Sequence, residues 1–179
     1  MEGIRQEADA LGQVVTNFLN FARPEKPTFA LVAPAAIARR AGDELRHELP
    51  AGTTVTITGE FADIEGDEVL LRQMFGNLLR NAAEACAAAG TTPAIVVNGR
   101  LDRARRVCTV TVSDNGPGIP AADRERVFQP FYTKRTGGTG LGLAVVQKIA
   151  VVHNGRAVAG ASPAGGASIE LTFPLPRAG

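Results

Sequence analysis

The chain has little of what usually marks a charged partner or a membrane. Its 19 basic and 18 acidic residues leave a net charge of +1, and only 21% of the 179 residues are charged. With no excess of one sign there is no broad basic surface for nucleic acid and no general pull towards a membrane, so partners must be read from local sites. Long apolar runs are also missing: none reaches the roughly 18 residues that span a bilayer, and the N-terminus lacks the apolar core of a secretory signal. The expectation is a soluble, cytoplasmic piece with no nucleic-acid partner and no membrane contact of its own. Cysteine is scarce. Cys86 and Cys108 lie far apart in apolar helical and strand patterns, without metal-ligand spacing, and read as buried thiols in a reducing compartment.

What is present is enough apolar material, 45% of the residues, for one well-filled domain and a short appendage. Ile4, Ala8, Leu11, Val15, Phe18 and Ala22 recur at alternating intervals of four and three, the apolar seam of a helix that packs in a bundle. A terminal helix docked on its own domain would show the same seam. Pro24 and Pro27 end it, so residues 24–28 read as a linker to a separate unit over residues 29–179. From there the pattern predicts a helix from about Ala33, a strand over 53–58, a helix from Asp67 to Ala89 stopped by Gly90, and strands over Ala94–Asn98 and Val107–Ser113. The arginines between 100 and 106 decorate the hairpin between those two strands. A helix over Leu141–His153 and strands over Arg156–Ala159 and Ser168–Phe173 complete the chain. Helices and strands mix without the regular alternation of a doubly wound fold. The predicted class is α+β: a two-layer sandwich whose mixed, roughly five-stranded sheet is covered on one face by three helices, preceded by one bundle helix.

Three motifs stand in that frame. In the helix over 67–89, Met74, Phe75, Leu78, Ala82 and Cys86 share one arc, while Asn77, Asn81 and Glu84 share a neighbouring polar edge. Such an edge is often simply solvated, but an amide oxygen is also a suitable neutral ligand for Mg²⁺, which keeps several waters and takes other oxygens from phosphates. Asp114-Asn-Gly-Pro-Gly118 follows directly on a strand. It reads either as a plain turn or as a loop whose glycines admit a flat ligand, with a carboxylate able to accept from adenine's exocyclic amine and to repel guanine's oxygen, a discrimination of about 1–3 kcal/mol. Gly138-Thr-Gly-Leu-Gly142 opens a helix, so free N–H groups and a partial positive charge face an anion such as a triphosphate. A Walker loop would need a Gly-Lys-Ser/Thr ending. A dinucleotide fingerprint would need a further small residue and an acid about 20 residues on, whereas the next acid here is Glu170.

The order of the three motifs, over residues 29–176, resembles the ATP-binding catalytic domain of sensor histidine kinases, in the nitrogen-regulation-like branch. Phe18-Leu-Asn-Phe-Ala-Arg-Pro24 is similar to the second helix of that family's dimerisation hairpin, which makes residues 1–23 a remnant of it. The resemblance implies ATP and Mg²⁺ as cofactors, with Asn81 on the metal, Asn77 beside it in a catalytic role, and Asp114, Gly116, Gly118 and Ile119 at adenine. Val127-Phe-Gln-Pro-Phe131 and the following Tyr132-Thr-Lys-Arg-Thr-Gly-Gly138 look like the family's phenylalanine motif and ATP lid, spanning about 123–140. Phe128 and Phe131 would then anchor the lid and Lys134 would reach the terminal phosphates, where Arg124, Arg126 or Arg135 could add charge; the three arginines are expected to be solvated or structural rather than catalytic. Thr139, Gly140, Leu141, Gly142 and Leu143 would line the phosphate end. Glu84 is placed in the nucleotide site, with its role open.

The implied activity is transfer of the γ-phosphate to a histidine of the dimerisation hairpin, for relay to a response regulator receiver domain, within a homodimeric parent protein. An anti-sigma-type serine kinase and a nucleotide-binding interaction module without catalysis are the alternatives. ATP-driven clamps of the same fold carry a glutamate, four residues before the metal-binding asparagine, that activates water. Here that position is Asn77. His47 follows the linker rather than preceding the hairpin helix and is not read as the acceptor. His153, followed by Asn154-Gly155, is read as a positive ring near a helix C-terminus. On this reading the acceptor lies outside the chain.

Overall fold

The computed structural model describes residues 26–177 together with Leu11, Gly12, Val15, Thr16, Phe18 and Leu19, and those six are helical. Ile4, Ala8, Ala22 and Pro24 of the expected hairpin remnant and linker lie outside the described residues. Strand β1 (Ala30–Val32) leads into helix α1 (Pro34–Leu45), then β2 (Thr54–Gly59), β3 (Ile64–Gly66) and the long helix α2 (Glu68–Ala88). β4 (Ala94–Asp102) and β5 (Val107–Ser113) form a hairpin. Two single 3₁₀ turns at Ala121–Asp123 and Arg126–Phe128 precede α3 (Gly142–Val152), and β6 (Arg156–Ala161) and β7 (Ala167–Pro174) close the chain.

The main sheet has the order β2-β4-β5-β7-β6, with β2 parallel to β4 and the remaining pairs antiparallel. Period-two alternation gives it one buried and one open face. Ile95, Val97, Val110, Val112, Ile169, Leu171 and Phe173 point into the core, where Leu71, Met74, Phe75 and Leu79 of α2 and Val146, Ile149 and Ala150 of α3 meet them. Thr56, Val96, Arg100 and Arg156 lie exposed on the strands. The α+β class, the mixed five-stranded sheet and the three covering helices are as expected. The sequence reading missed the small antiparallel pair β1–β3, whose three-residue strands are too short for any alternation to register. β4 also runs on to Asp102, because Leu101 and Asp102 pair with Cys108 and Val107. Arg100 is therefore a strand residue and only residues 103–106 form the turn, where Asp102 Oδ1 accepts from Arg105 N at 2.9 Å.

His153 corrects another expectation. Its ring is 2% exposed at the C-cap of α3, flanked edge-on by Phe29 and Phe173. Nε2 accepts the backbone N–H of Asp67 at 2.9 Å and Nδ1 lies 2.7 Å from the Ile149 carbonyl. An amide N–H can only donate and a carbonyl can only accept, so the ring is neutral with its proton on Nδ1. Burial pushes its pKa below the usual histidine value. Asp67 in turn caps α2 by accepting from Leu70 N at 3.0 Å and from Thr28 N at 2.7 Å. His153 thereby fastens the end of α3 to the start of α2, the two helices that frame the motifs.

Candidate functional site

Helix α2 is the spine of the site. Its apolar arc is buried as expected, and Asn77 and Asn81 sit half-buried along the neighbouring edge, with Glu84 exposed. Asn77 Nδ2 donates to the carbonyl of Gly142 at 3.4 Å, which joins this edge to the first turn of α3. Cys86, on the same helix, donates its thiol to Asn115 Oδ1 at 3.3 Å, beneath the loop that follows β5. Nine residues of helix, about 13 Å of axis, therefore separate the contact with the glycine loop from the contact with the Asp114 loop. Burial, then the charge on Asp114, push the Cys86 thiol above its usual range, so it is a packed, inert group. Cys108 is likewise free and buried.

Asp114 is 7% exposed and is held by its own fold. Its Oδ1 accepts from Gly116 N at 2.8 Å and from Ala167 N at 3.0 Å, and its backbone N–H donates to the Ala167 carbonyl at 2.9 Å. One carboxylate oxygen is thus committed to the backbone and the other, Oδ2, is left for a ligand donor. Gly166 makes this approach possible: a Cβ there would lie 2.2 Å from Asp114 Oδ1. Gly118 adopts φ +81°, a left-handed conformation suited to glycine. Asn115 pins the loop from below, accepting from Ala94 N at 2.8 Å and donating to the Thr92 carbonyl at 3.1 Å. Ile119 packs against the core.

At the other end, Thr139 Oγ1 accepts from Leu141 N at 3.3 Å, and Leu141 is fully buried. The first turn of α3 contains no acid and no side-chain cap, and Leu143 packs on the core. N–H groups in a first helical turn have no intrahelical acceptor, so this end suits an anion. Gly140, at φ +67°, lets the loop touch the backbone of Phe131; a Cβ would come 2.5 Å from the Phe131 carbonyl carbon. Phe131 N donates to the Gly140 carbonyl at 3.0 Å, and Phe131 itself is held at φ +65°. This geometry turns its side chain outwards, 60% exposed, with its ring stacked at 6.5 Å from Phe18 of the N-terminal helix. Phe128 alone of the pair packs against the core.

The segment between these ends, expected to be the lid, carries two consecutive cations held by different partners. Lys134 Nζ is 2.5 Å from Oδ2 of Asp123, a 6%-exposed carboxylate that also accepts from Tyr132 OH at 2.7 Å. Lys134 and then Tyr132 hold the Asp123 carboxyl below its usual range, and Asp123 holds the Lys134 ammonium above its own. Arg126 lies over the Tyr132 ring at 4.7 Å. Arg135 instead crosses to α2, with Nη2 2.7 Å from Asn81 Oδ1 and Nη1 2.8 Å from Glu84 Oε2. The structure therefore gathers Asn77, Asn81 and Glu84 with the glycine loop and Arg135, and it fixes Asp114 and Gly116 further along α2. Lys134 stands apart, bound at the base of the lid. Asn115, Asp123 and Gly166 were not among the expected site residues, and Arg135, expected to be solvated or structural, instead binds the polar edge of α2. Opposite charges 51 residues apart leave no periodic trace, although the glycine pair at 165–166 was a visible signal. Elsewhere, an open depression of about 410 Å³ lies among Arg100, Asp102, Arg156 and Glu170 on the sheet, away from the three motifs.

Comparison with known proteins points the same way. Residues 66–177 match the family model described as histidine kinase-, DNA gyrase B- and HSP90-like ATPase. Nitrogen regulation protein NtrY of Azorhizobium caulinodans is 34% identical over 175 residues, covering 95% of this chain and 22% of that protein. Among solved structures, the ATP-binding domain of PrrB from Mycobacterium tuberculosis superposes with a TM-score of 0.66 at 27% identity, covering 83% of this chain and 98% of that one. Full-length ShkA in complex with AMPPNP superposes with a TM-score of 0.79 at 25% identity, covering 99% of this chain and 38% of that one. The chain spans about a quarter of the length of the curated relatives it matches.

Proposed function

The chain belongs to the histidine kinase-, DNA gyrase B- and HSP90-like ATPase family, homologous to the catalytic domains of sensor histidine kinases, and on that premise we propose that it binds Mg-ATP and delivers the γ-phosphate to a histidine of a dimerisation hairpin. The observation that carries this reading is the arrangement along α2, with an anion-suited helix end beside Asn77 and Asn81 at one end and a backbone-held carboxylate at the other. That spacing matches a ligand with phosphates at one end and an amine-bearing base at the other.

The donor set fits Mg²⁺. Asn81 Oδ1 already accepts from a cation, the Arg135 guanidinium. Among the described residues no group of three His, Cys, Asp or Glu side chains is placed to hold a metal. Magnesium suits such a sparse site because it keeps waters and shares phosphate oxygens with its substrate. When bound, Mg²⁺ neutralises phosphate charge, and Asn81 is the residue that would hold it. Asp114 Oδ2 accepts from the adenine amine, which selects against guanine. The N–H groups of Gly142 and Leu143 face the phosphates, and Asn77 keeps that turn of α3 in register with α2. Catalysis here rests on positioning and charge stabilisation, because Asn77 stands where a water-activating glutamate would be and offers no carboxylate base.

The nucleophile comes from elsewhere. His153 is buried and neutral with both ring nitrogens engaged, and His47, in the turn after α1, follows the N-terminal helix rather than preceding it as the hairpin's acceptor would. Leu11, Val15 and Phe18 are 66%, 49% and 47% exposed, which supports pairing of this helix with a second hairpin helix in a homodimeric parent. On this reading the phosphate then passes to a response regulator receiver domain, and a cytoplasmic location would supply the ATP. Titration with ATP, its non-hydrolysable analogue and GTP, with and without Mg²⁺, tests the site. Mg²⁺-dependent binding of the adenine nucleotides alone, weakened by Asn81→Ala, is the expected outcome; equal affinity for GTP would remove Asp114 from the base site.

A further inference from the structure

Asn81 is the half-buried amide that the proposed function assigns to the metal, yet its oxygen is engaged by a cation of the chain itself. Arg135 Nη2 lies 2.7 Å from Asn81 Oδ1, and the same guanidinium places Nη1 2.8 Å from Glu84 Oε2. The fork spans two residues one turn apart on α2, so it reaches both at once only from the position above that edge. Lys134, its neighbour in the lid, is drawn away to Asp123, which leaves Arg135 as the lid cation facing α2.

We propose that Arg135 is a resident cation of the metal site, positioned by Glu84, and that Mg²⁺ must displace it from Asn81 when nucleotide binds. The inference rests on the assignment of Asn81 to the metal. A guanidinium and a hexacoordinate divalent ion cannot both occupy the same face of one amide oxygen, and their like charges repel at that distance. Glu84 has a definite task in this arrangement: it supplies the negative charge that holds the guanidinium against a neutral amide. The side chains of Arg135 and Glu84 are 37% and 61% exposed, so their ion pair is screened and weak. A weak latch suits the purpose, because it sets the metal concentration at which the lid lets go without blocking the site. Glu84 and Arg135 thereby become positioning residues that tune metal dependence, one from the helix and one from the lid.

The test is the Mg²⁺ concentration for half-maximal binding of a non-hydrolysable ATP analogue to the 179-residue chain, compared among the native protein, Arg135→Ala, Glu84→Gln and Asn81→Ala. Both latch residues are at the surface, so their substitution leaves the core intact. Arg135→Ala is expected to lower the Mg²⁺ requirement about three- to tenfold, and Glu84→Gln to lower it by less. A lid contact of purely structural kind would weaken binding equally at every Mg²⁺ concentration and leave the midpoint in place. An unchanged or raised midpoint in Arg135→Ala overturns the proposal. Asn81→Ala separates the two layers: loss of Mg²⁺ dependence upholds Asn81 as the metal residue whatever Arg135 does, and retention of the native midpoint removes that assignment and the latch with it.

Discussion

At the scale of single residues, Asp114 and His153 show how completely partners define a role. Asp114 uses Oδ1 to accept two backbone N–H groups. In Asp114→Asn the amide oxygen can keep those bonds, which turns the NH₂ towards the ligand and sets donor against donor at adenine. ATP affinity is expected to fall by about 1–3 kcal/mol, roughly five- to 150-fold, with the thermal midpoint little changed; unaltered affinity by calorimetry would count against the base site. His153 predicts a pH dependence. Its folded pKa is depressed, by burial first, with the Ile149 carbonyl and Asp67 only partly opposing. A histidine buried as the neutral form stabilises the fold fully above its unfolded pKa of about 6.5, and that stability is lost as pH falls below this value towards the folded pKa. Urea unfolding at successive pH values below 6.5 should show this decline, and His153→Gln, which keeps an acceptor for Asp67 N but cannot titrate, should flatten it. An undiminished decline in the variant would assign the effect to another group. The partner of Nε2 was not legible in the sequence, because Asp67 lies 86 residues from His153 and only the fold brings them together, whereas the Ile149 carbonyl bound by Nδ1 lies one turn back on the same helix.

At the scale of elements, α2 was the most legible and the lid the least. The helix announces itself by an apolar period sustained over 21 residues, an aspartate cap and a glycine stop, and its polar edge falls where the spacing of Asn77, Asn81 and Glu84 puts it. The lid has no period. Lys134 and Arg135 are adjacent, and nothing local says that one turns to Asp123 and the other crosses to α2. Its hinge is legible in part, since Gly138-Thr-Gly-Leu-Gly142 implies close backbone contacts, but the partner of Gly140 is the Phe131 backbone. Gly140→Ala would force a side chain into the left-handed region, a cost of about 1–2 kcal/mol, and onto that backbone, which must shift as well. Because Gly140 joins the lid to α3, the expected result is weakened nucleotide binding that exceeds the loss of stability. Equal binding in a folded Gly140→Ala protein would show that the lid tolerates a shifted hinge.

At the scale of the whole molecule, the three motifs come together because the layers converge. The sheet carries Asp114 at the end of β5, α2 runs beneath both ends of the site, and His153 ties α3 to the start of α2. Pattern alone conveyed the elements and the α+β class, since the strands and helices of the main layers have five or more residues with clear periodicity, but it conveyed neither the strand order, nor the His153 tie, nor the short β1–β3 pair. The central claim is that the chain holds ATP for a histidine it does not itself contain. The most direct measurement is labelling with γ-phosphate-tagged ATP of this 179-residue chain beside a longer chain extended upstream through a first hairpin helix, followed by acid and alkali treatment. An acid-labile, alkali-stable phosphate is expected on the longer chain, lost in Asn81→Ala, and none on the shorter one. A stable phosphate on the short chain, or an acid-stable phosphate on either, would contradict that claim.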